Sequence, residues 1–280
     1  MKIKFAKLQA LGNDYIFVDL FREKLSGLDW GKISQKICQR NFGVGSDGLI
    51  LIVPGKKEKF KMRVFNPDGS EAEMCGNAIR CVARHIYESG LSKNREQRIE
   101  TKGRMIETQI LKDDQNNFLV KADMGKPVLE RKKIPAKGAG KFFIQERLKI
   151  GKRNCEITCV NMGNPHAILI VRKLPKDWQK IGSLIENHFI FPERINVEFV
   201  EIVNRKKMKL LVWERGAGPT LASATGASAA LVASVLKGKV DQKVEVSFQC
   251  GKLQARWDEK SGHIFISGPA EMVFCGEYHY

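Results

Sequence analysis

What the chain lacks narrows its class at once. No apolar run approaches the roughly 18 to 20 residues that cross a bilayer. Residues 1–10 alternate lysine with apolar residues like a strand, where a secretion signal would carry an apolar core. Disulfide and zinc spacing are missing too. The seven cysteines (38, 75, 81, 155, 159, 250, 275) are odd in number, and the Cys-x3-Cys pair at 155 and 159 sits in a strand-like run with no second pair beside it. A reduced, cytoplasmic protein with no membrane partner is expected. No nucleic-acid partner is expected either, despite a net charge of +17. The basic runs (56–59, 131–133, 205–207) are short and scattered, none is interleaved with aromatics, and no zinc-finger or RNA-recognition signature appears. The excess reads as a solvated lysine surface that helps attract anionic substrates.

What is present is ordinary globular material: 280 residues, 43% hydrophobic and 28% charged, enough for one large domain or two of about 140. Strand-like alternation at 2–8, 15–20, 49–53, 61–65, 98–101, 105–112 and 118–124 is interrupted by helical patterns at 30–39 and 79–87. A glycine-rich loop at 41–48 lies between a helix and a strand, the reverse of a dinucleotide turn, so it indicates no nucleotide cofactor. The second half reads as strands at 156–160, 167–171, 197–203, 207–213, 244–248, 253–257 and 263–267, with helices at 178–186 and 229–236.

The two halves repeat one another. Asn66 precedes Cys75 by nine residues and Glu214 precedes Ser223 by nine; Asn13 lies 53 residues before Asn66, and Asn164 lies 50 before Glu214. Each half reads strand, Asn-bearing turn, strand, helix, loop, strands, then a turn of small residues into a helix. This predicts an α/β protein of the α+β type with two pseudo-symmetric domains. The expected boundaries are 1–122, joined by a returning strand at 268–280, and 123–267. Two such domains would each aim a helix N-terminus at a shared cleft. There, free N–H groups hold a carboxylate and stabilise the charge that grows as an α-proton leaves. A thiol at such a terminus, as at Cys75, has a lowered pKa and is a plausible base. The pattern suggests a racemase without a cofactor.

Six motifs then carry a specific resemblance. They are Leu11-Gly12-Asn13-Asp14, Asn66-Pro67-Asp68-Gly69-Ser70, Met74-Cys75-Gly76-Asn77-Ala78-Ile79-Arg80-Cys81, Met162-Gly163-Asn164-Pro165-His166, Phe191-Pro192-Glu193-Arg194-Ile195-Asn196-Val197 and Glu214-Arg215-Gly216-Ala217-Gly218. In this order they closely resemble diaminopimelate epimerase. The resemblance implies two similar domains, each a mostly antiparallel sheet or barrel wrapped round a central helix. It also implies interconversion of LL- and meso-2,6-diaminopimelate without PLP or metal, and a homodimer is expected. Cys75 matches one of two catalytic cysteines. Gly76 and Asn77 match the backbone that binds the carboxylate of the reacting centre. Asn66, Asn164, Asn196 and Arg215 match the side chains that read the distal end of the substrate, with Asn13 in the same pocket. His166 and Glu214 match the groups near the reacting amine and the two bases.

The sequence departs from the family where the second cysteine belongs. In place of Ala-Cys-Gly-Thr-Gly-Ala-Cys it reads Ala222-Ser223-Ala224-Thr225-Gly226-Ala227-Ser228. Ser223 takes the second base's position, with Ala224 and Thr225 at the carboxylate-binding turn. A hydroxyl is a poor base unless a neighbour takes its proton, and His166 and Glu214 are the candidates. Ala224 in place of glycine requires helical backbone there. Two other readings stand beside the epimerase: a related racemase or lyase using Cys75 alone, and a non-catalytic binder of diaminopimelate-like ligands. Cys81, Cys155, Cys159, Cys250 and Cys275 are expected to be core or surface thiols, and Arg80 and Arg84 to pair with acidic side chains.

Overall fold

The computed structural model describes residues 1–72, 76–114 and 117–280. The chain divides into two units, Met1–Ala122 with Ser267–Tyr280, and Asp123–Ile266. Both are sheet-dominated, with two α-helices each among the described residues.

In the first unit, strand Lys2–Ala10 turns back through Leu11 and Gly12 into Asn13–Asp19, pairing Ala10 with Asn13. Both turn residues have positive φ (55° and 81°), the two-residue hairpin geometry that matches strand twist. The sequence pattern places Asn13 in the break; the structure starts the strand there. Helix α1 (Trp30–Ile37) then crosses to a parallel strand, Leu49–Pro54. Antiparallel strands Phe60–Phe65 and Glu71–Ala72 follow. Helix α2 (Ala78–Glu88) crosses to Glu96–Glu100, parallel to Phe60–Phe65, and Met105–Asp114 and Asn117–Asp123 continue antiparallel. The last strand, Glu271–His279, pairs antiparallel with Lys2–Ala10.

The second unit runs through the same order. Strands Arg153–Asn161 and Pro165–Val171 are antiparallel, and α3 (Trp178–Glu186) crosses to the parallel strand Asn196–Asn204. Antiparallel Lys207–Glu214 and Gly218–Thr220 follow, and α4 (Ala224–Leu236) crosses to Lys243–Phe248, parallel to Lys207–Glu214. Gly251–Trp257 then pairs antiparallel. Both units thus follow one plan: an antiparallel pair, a helical crossover, a hairpin with a short third strand, a second crossover.

Within each unit the two helices have different roles. The residues of α4 from Ala224 to Ser234 are all buried, against strands Arg153–Asn161, Pro165–Val171, Asn196–Asn204 and Gly251–Trp257. A helix apolar all round belongs inside. Its small residues (Ala227, Ala229, Ala230, Ala233) admit close strand approach, while fully buried Leu231 and Val232 each contribute about 1.5–3 kcal/mol. By contrast, α3 is amphipathic: Ile181 and Ile185 join a core with Ile157, Phe191, Val197 and Phe199. The first unit repeats this arrangement, with Trp30, Ile33 and Ile37 of α1 packing onto Ile3, Ile16 and Leu49.

The sequence pattern starts the last helix at residue 229; it begins at Ala224. Five small residues carry no helical periodicity of their own, and the Ser223 hydroxyl supplies the start by accepting the Gly226 N–H at 3.0 Å. The backbone at Ala224 is helical, as the alanine there requires.

Candidate active site

Register brings the named residues of each unit to one end of its sheet. In the first unit Ile16 pairs with Leu49 and Leu49 with Phe65, so Asn13 at the start of one strand and Asn66 just past the end of another lie at the same edge. The Asn66 turn is held locally. Its Nδ2 donates to Ser70 Oγ (3.0 Å), Asp68 Oδ1 accepts the Ser70 N–H, and the Ser34 hydroxyl donates to the Asn66 carbonyl. Beside Asn13, Asp14 is gripped by Lys7 and Arg40, both at 2.8 Å. Burial alone would raise the Asp14 carboxyl, but these cationic hydrogen bonds outweigh it and hold the group below its usual range. Asp47 moves the other way, raised by burial and by the Asp14 charge.

Gly76 and Asn77 are buried at the entry to α2. Behind them Arg80, fully buried, donates to the Gly76 carbonyl and to Asn77 Oδ1. It thereby fastens the turn from inside, and Arg84 finds the acidic partner expected of it, Glu88, at 2.8 Å. Cys75, with Glu73 and Met74, lies outside the described residues. Of the other thiols, Cys38, Cys155, Cys159 and Cys250 are pushed up by burial, which suits packing and not proton transfer.

The second unit joins its candidates through a continuous chain of contacts. Gly163, at φ 99°, turns the chain so that Asn164 precedes the strand carrying His166. His166 is 1% exposed, and its ring is held on both sides: Nδ1 lies 2.7 Å from Glu198 Oε1 and Nε2 lies 2.8 Å from Asn164 Oδ1. His166 also pairs in register with Asn196. The Asn196 amide ties two loops, donating to the Pro165 carbonyl (2.8 Å) and accepting the Arg215 N–H (2.9 Å). Arg215 is exposed, and its guanidinium donates to the Glu193 carbonyl at 3.2 Å. Glu214, half-buried, ends its strand opposite Gly218.

Ser223 is 5% exposed, and Thr225 8%. Besides capping α4, the Ser223 hydroxyl meets Thr225 Oγ1 at 3.2 Å. The sequence suggested His166 and Glu214 as its proton-accepting neighbours; the hydrogen bonds of Ser223 among the described residues go to Thr225 and Gly226, and the His166 ring is occupied by Glu198 and Asn164. The link between them is steric. A Cβ on Gly226 would lie 2.6 Å from Glu198 Oε1 and 3.1 Å from Ser223 Oγ. The Glu198 carboxylate therefore packs against the first turn of α4, where the helix dipole favours an anion.

Two buried carboxylates in this cluster are not singled out by the motifs. Glu198 is fully buried, an acid amid the apolar run Val197, Phe199, Val200. Glu186 is 5% exposed at the last position of α3, whose final turn has no basic residue. In each case the readable signal is a charge that contradicts its local setting.

The diaminopimelate epimerase family model matches residues 5–130 and 158–273. The chain is 47% identical over 277 residues to the diaminopimelate epimerase of Pelotomaculum thermopropionicum, covering 99% of each. It is 45% identical over 276 residues to that of Methanococcus maripaludis, covering 98% of this chain and 99% of that protein. Solved structures share the fold at low identity. A PhzF-family phenazine biosynthesis protein of Bacillus anthracis matches with a TM-score of 0.71 at 17% identity over the whole of both chains. A hydroxyproline epimerase of Agrobacterium vitis matches at 0.73 and 13%, over 99% of this chain and 90% of that one. With the family model matching most of its length, the chain belongs to the diaminopimelate epimerase family.

Proposed function

We propose that the protein epimerises LL-2,6-diaminopimelate to the meso form by removing and returning the α-proton, without PLP or metal. The observation that carries this is the contact chain Asn164–His166–Glu198 and Asn196–Arg215, which reaches the Ser223 start of α4 through Gly226. Asn164, His166, Asn196, Arg215 and Ser223 are residues the family resemblance assigns to the site, and Glu198 joins them.

In this reading Cys75 is the base on one face of the α-carbon, and Ser223 stands where the second catalytic cysteine would be. Gly76, Asn77, Ala224 and Thr225 bind the carboxylate of the reacting centre at the two helix starts. Asn13, Asn66, Asn164, Asn196 and Arg215 read the distal amino-acid end, Arg215 through the bidentate fork of its guanidinium. His166 and Glu214 sit near the reacting amine and the bases. The working protein is a cytoplasmic homodimer.

Incubation with LL-diaminopimelate in D2O tests this directly. Deuterium should enter the α-carbon together with inversion to the meso form. Exchange without inversion would replace the epimerase by a one-base enzyme, and saturable binding with no exchange would replace it by a binder.

A further inference from the structure

Glu186 is placed against two tendencies at once. It is an acid at the C-terminus of α3, where the dipole disfavours negative charge, and its carboxylate is buried, where charge costs free energy unless it is paired. Its contacts account for it. Oε2 accepts the Trp213 indole N–H at 2.7 Å, Oε1 accepts the Gly216 N–H at 2.8 Å, and Arg194 Nη1 stands 3.5 Å from Oε1. Arg194 is a non-glycine residue at φ 58°, and Gly216 lies at φ 78°. Two loops that enter the left-handed region, a sparsely populated one for the non-glycine Arg194, therefore meet at this one carboxylate.

What lies between those contacts is Arg215. Its own N–H is pinned by Asn196 and the next N–H, of Gly216, by Glu186. Its guanidinium is braced on the Glu193 carbonyl, one residue from Arg194. α3 lies so close to this loop that a Cβ on Gly182 would come within 2.9 Å of the Trp213 side chain.

We propose that Glu186 is a positioning residue that sets the aim of Arg215, and so the grip on the distal carboxylate of the substrate. This rests on the epimerase reading above. The site demands an acceptor on both oxygens, because each faces an N–H donor. Glu186→Gln keeps the shape but turns one oxygen into an N–H2 facing another donor.

Steady-state kinetics of Glu186→Gln should show KM for LL-diaminopimelate raised about tenfold, as expected for one misplaced charged hydrogen bond, with kcat nearly unchanged. Adding Trp213→Phe removes the opposing indole N–H and should bring KM most of the way back, an outcome general loosening of the fold would not give. Unchanged KM in Glu186→Gln, a fall confined to kcat, or no recovery in the double variant would each overturn the role. If Glu186→Gln does not fold, the wild-type protein still decides: the Trp213 indole N–H resonance should shift when LL-diaminopimelate binds, and a resonance that stays fixed at saturation would overturn the coupling. A wild-type enzyme with no activity and no exchange would instead overturn the epimerase reading itself.

Discussion

Ser223 caps α4 and, in the proposed reading, also stands at the reacting carbon, so substitution there separates the two roles. Its hydroxyl caps α4 by accepting the Gly226 N–H at 3.0 Å in a site only 5% exposed. Ser223→Ala removes that acceptor and leaves a buried donor unpaired, a loss of about 1 to 2 kcal/mol. For a unit of this size that lowers Tm by roughly 3–8 °C. Ser223→Cys keeps a side chain of similar shape, but sulfur is a weak acceptor, so stability should also fall, by less. Activity should diverge. On the proposed placement the alanine variant loses the group on one face of the α-carbon, and epimerisation should drop by about 100-fold or more, the usual scale for an acid–base group. The cysteine variant places a thiol, ordinarily near pKa ~8.5, at a helix N-terminus that favours the thiolate, so turnover should rise above wild type. Thermal melts and a meso/LL product assay on the three proteins measure both. Wild-type epimerisation in Ser223→Ala would refute the placement of Ser223 at the reacting carbon. Unchanged or lower turnover in Ser223→Cys would refute the idea that the serine stands in for a thiol, and would mean that it is matched to Thr225 and the α4 start.

Three further outcomes are expected. Cys75→Ala should abolish α-proton exchange in D2O as read by NMR; near-wild-type exchange would remove Cys75 from the base role. Gly226→Ala would ordinarily stabilise a helix by about 1 kcal/mol, but here the methyl meets Glu198 Oε1 at 2.6 Å, so the sign should reverse and chemical denaturation should show a loss; a gain would mean that the carboxylate moves aside freely. Asp14→Asn should destabilise at pH 7, because the lowered carboxyl gives stability that is present above its ordinary value of 3.8 and lost as pH falls through the still lower folded value. The loss, about 1 kcal/mol or somewhat more and tempered by relief of the raised Asp47, should therefore shrink as pH falls below that ordinary value in melts of both proteins; a deficit that stays constant as pH falls would refute the ion-pair account.

A linear pattern encodes faces and residue kinds, and the elements differ in how much of either they show. The α3 helix, Trp178–Glu186, is legible to the residue because its apolar positions recur at helical spacing over a flank that faces solvent. The start of α4 is not, because small residues buried on every side leave no face to detect; its boundary is set by one hydroxyl accepting one N–H. The motif residues are legible by kind, and sheet register explains why Asn164, Asn196 and Arg215, far apart along the chain, meet at one edge. Their supports are harder to see. Arg80, Glu186 and Glu198 are charged residues in buried places, and a sequence shows the charge but not the burial. Each holds a residue the motifs name, Arg80 from within its own motif: Arg80 the Gly76–Asn77 turn, Glu198 the His166 ring, Glu186 the backbone beside Arg215. A buried charge survives only where its partners repay the desolvation. A charge set against its own helix or strand pattern is therefore a pointer, legible in the residues themselves, to the backbone that a site most needs held still.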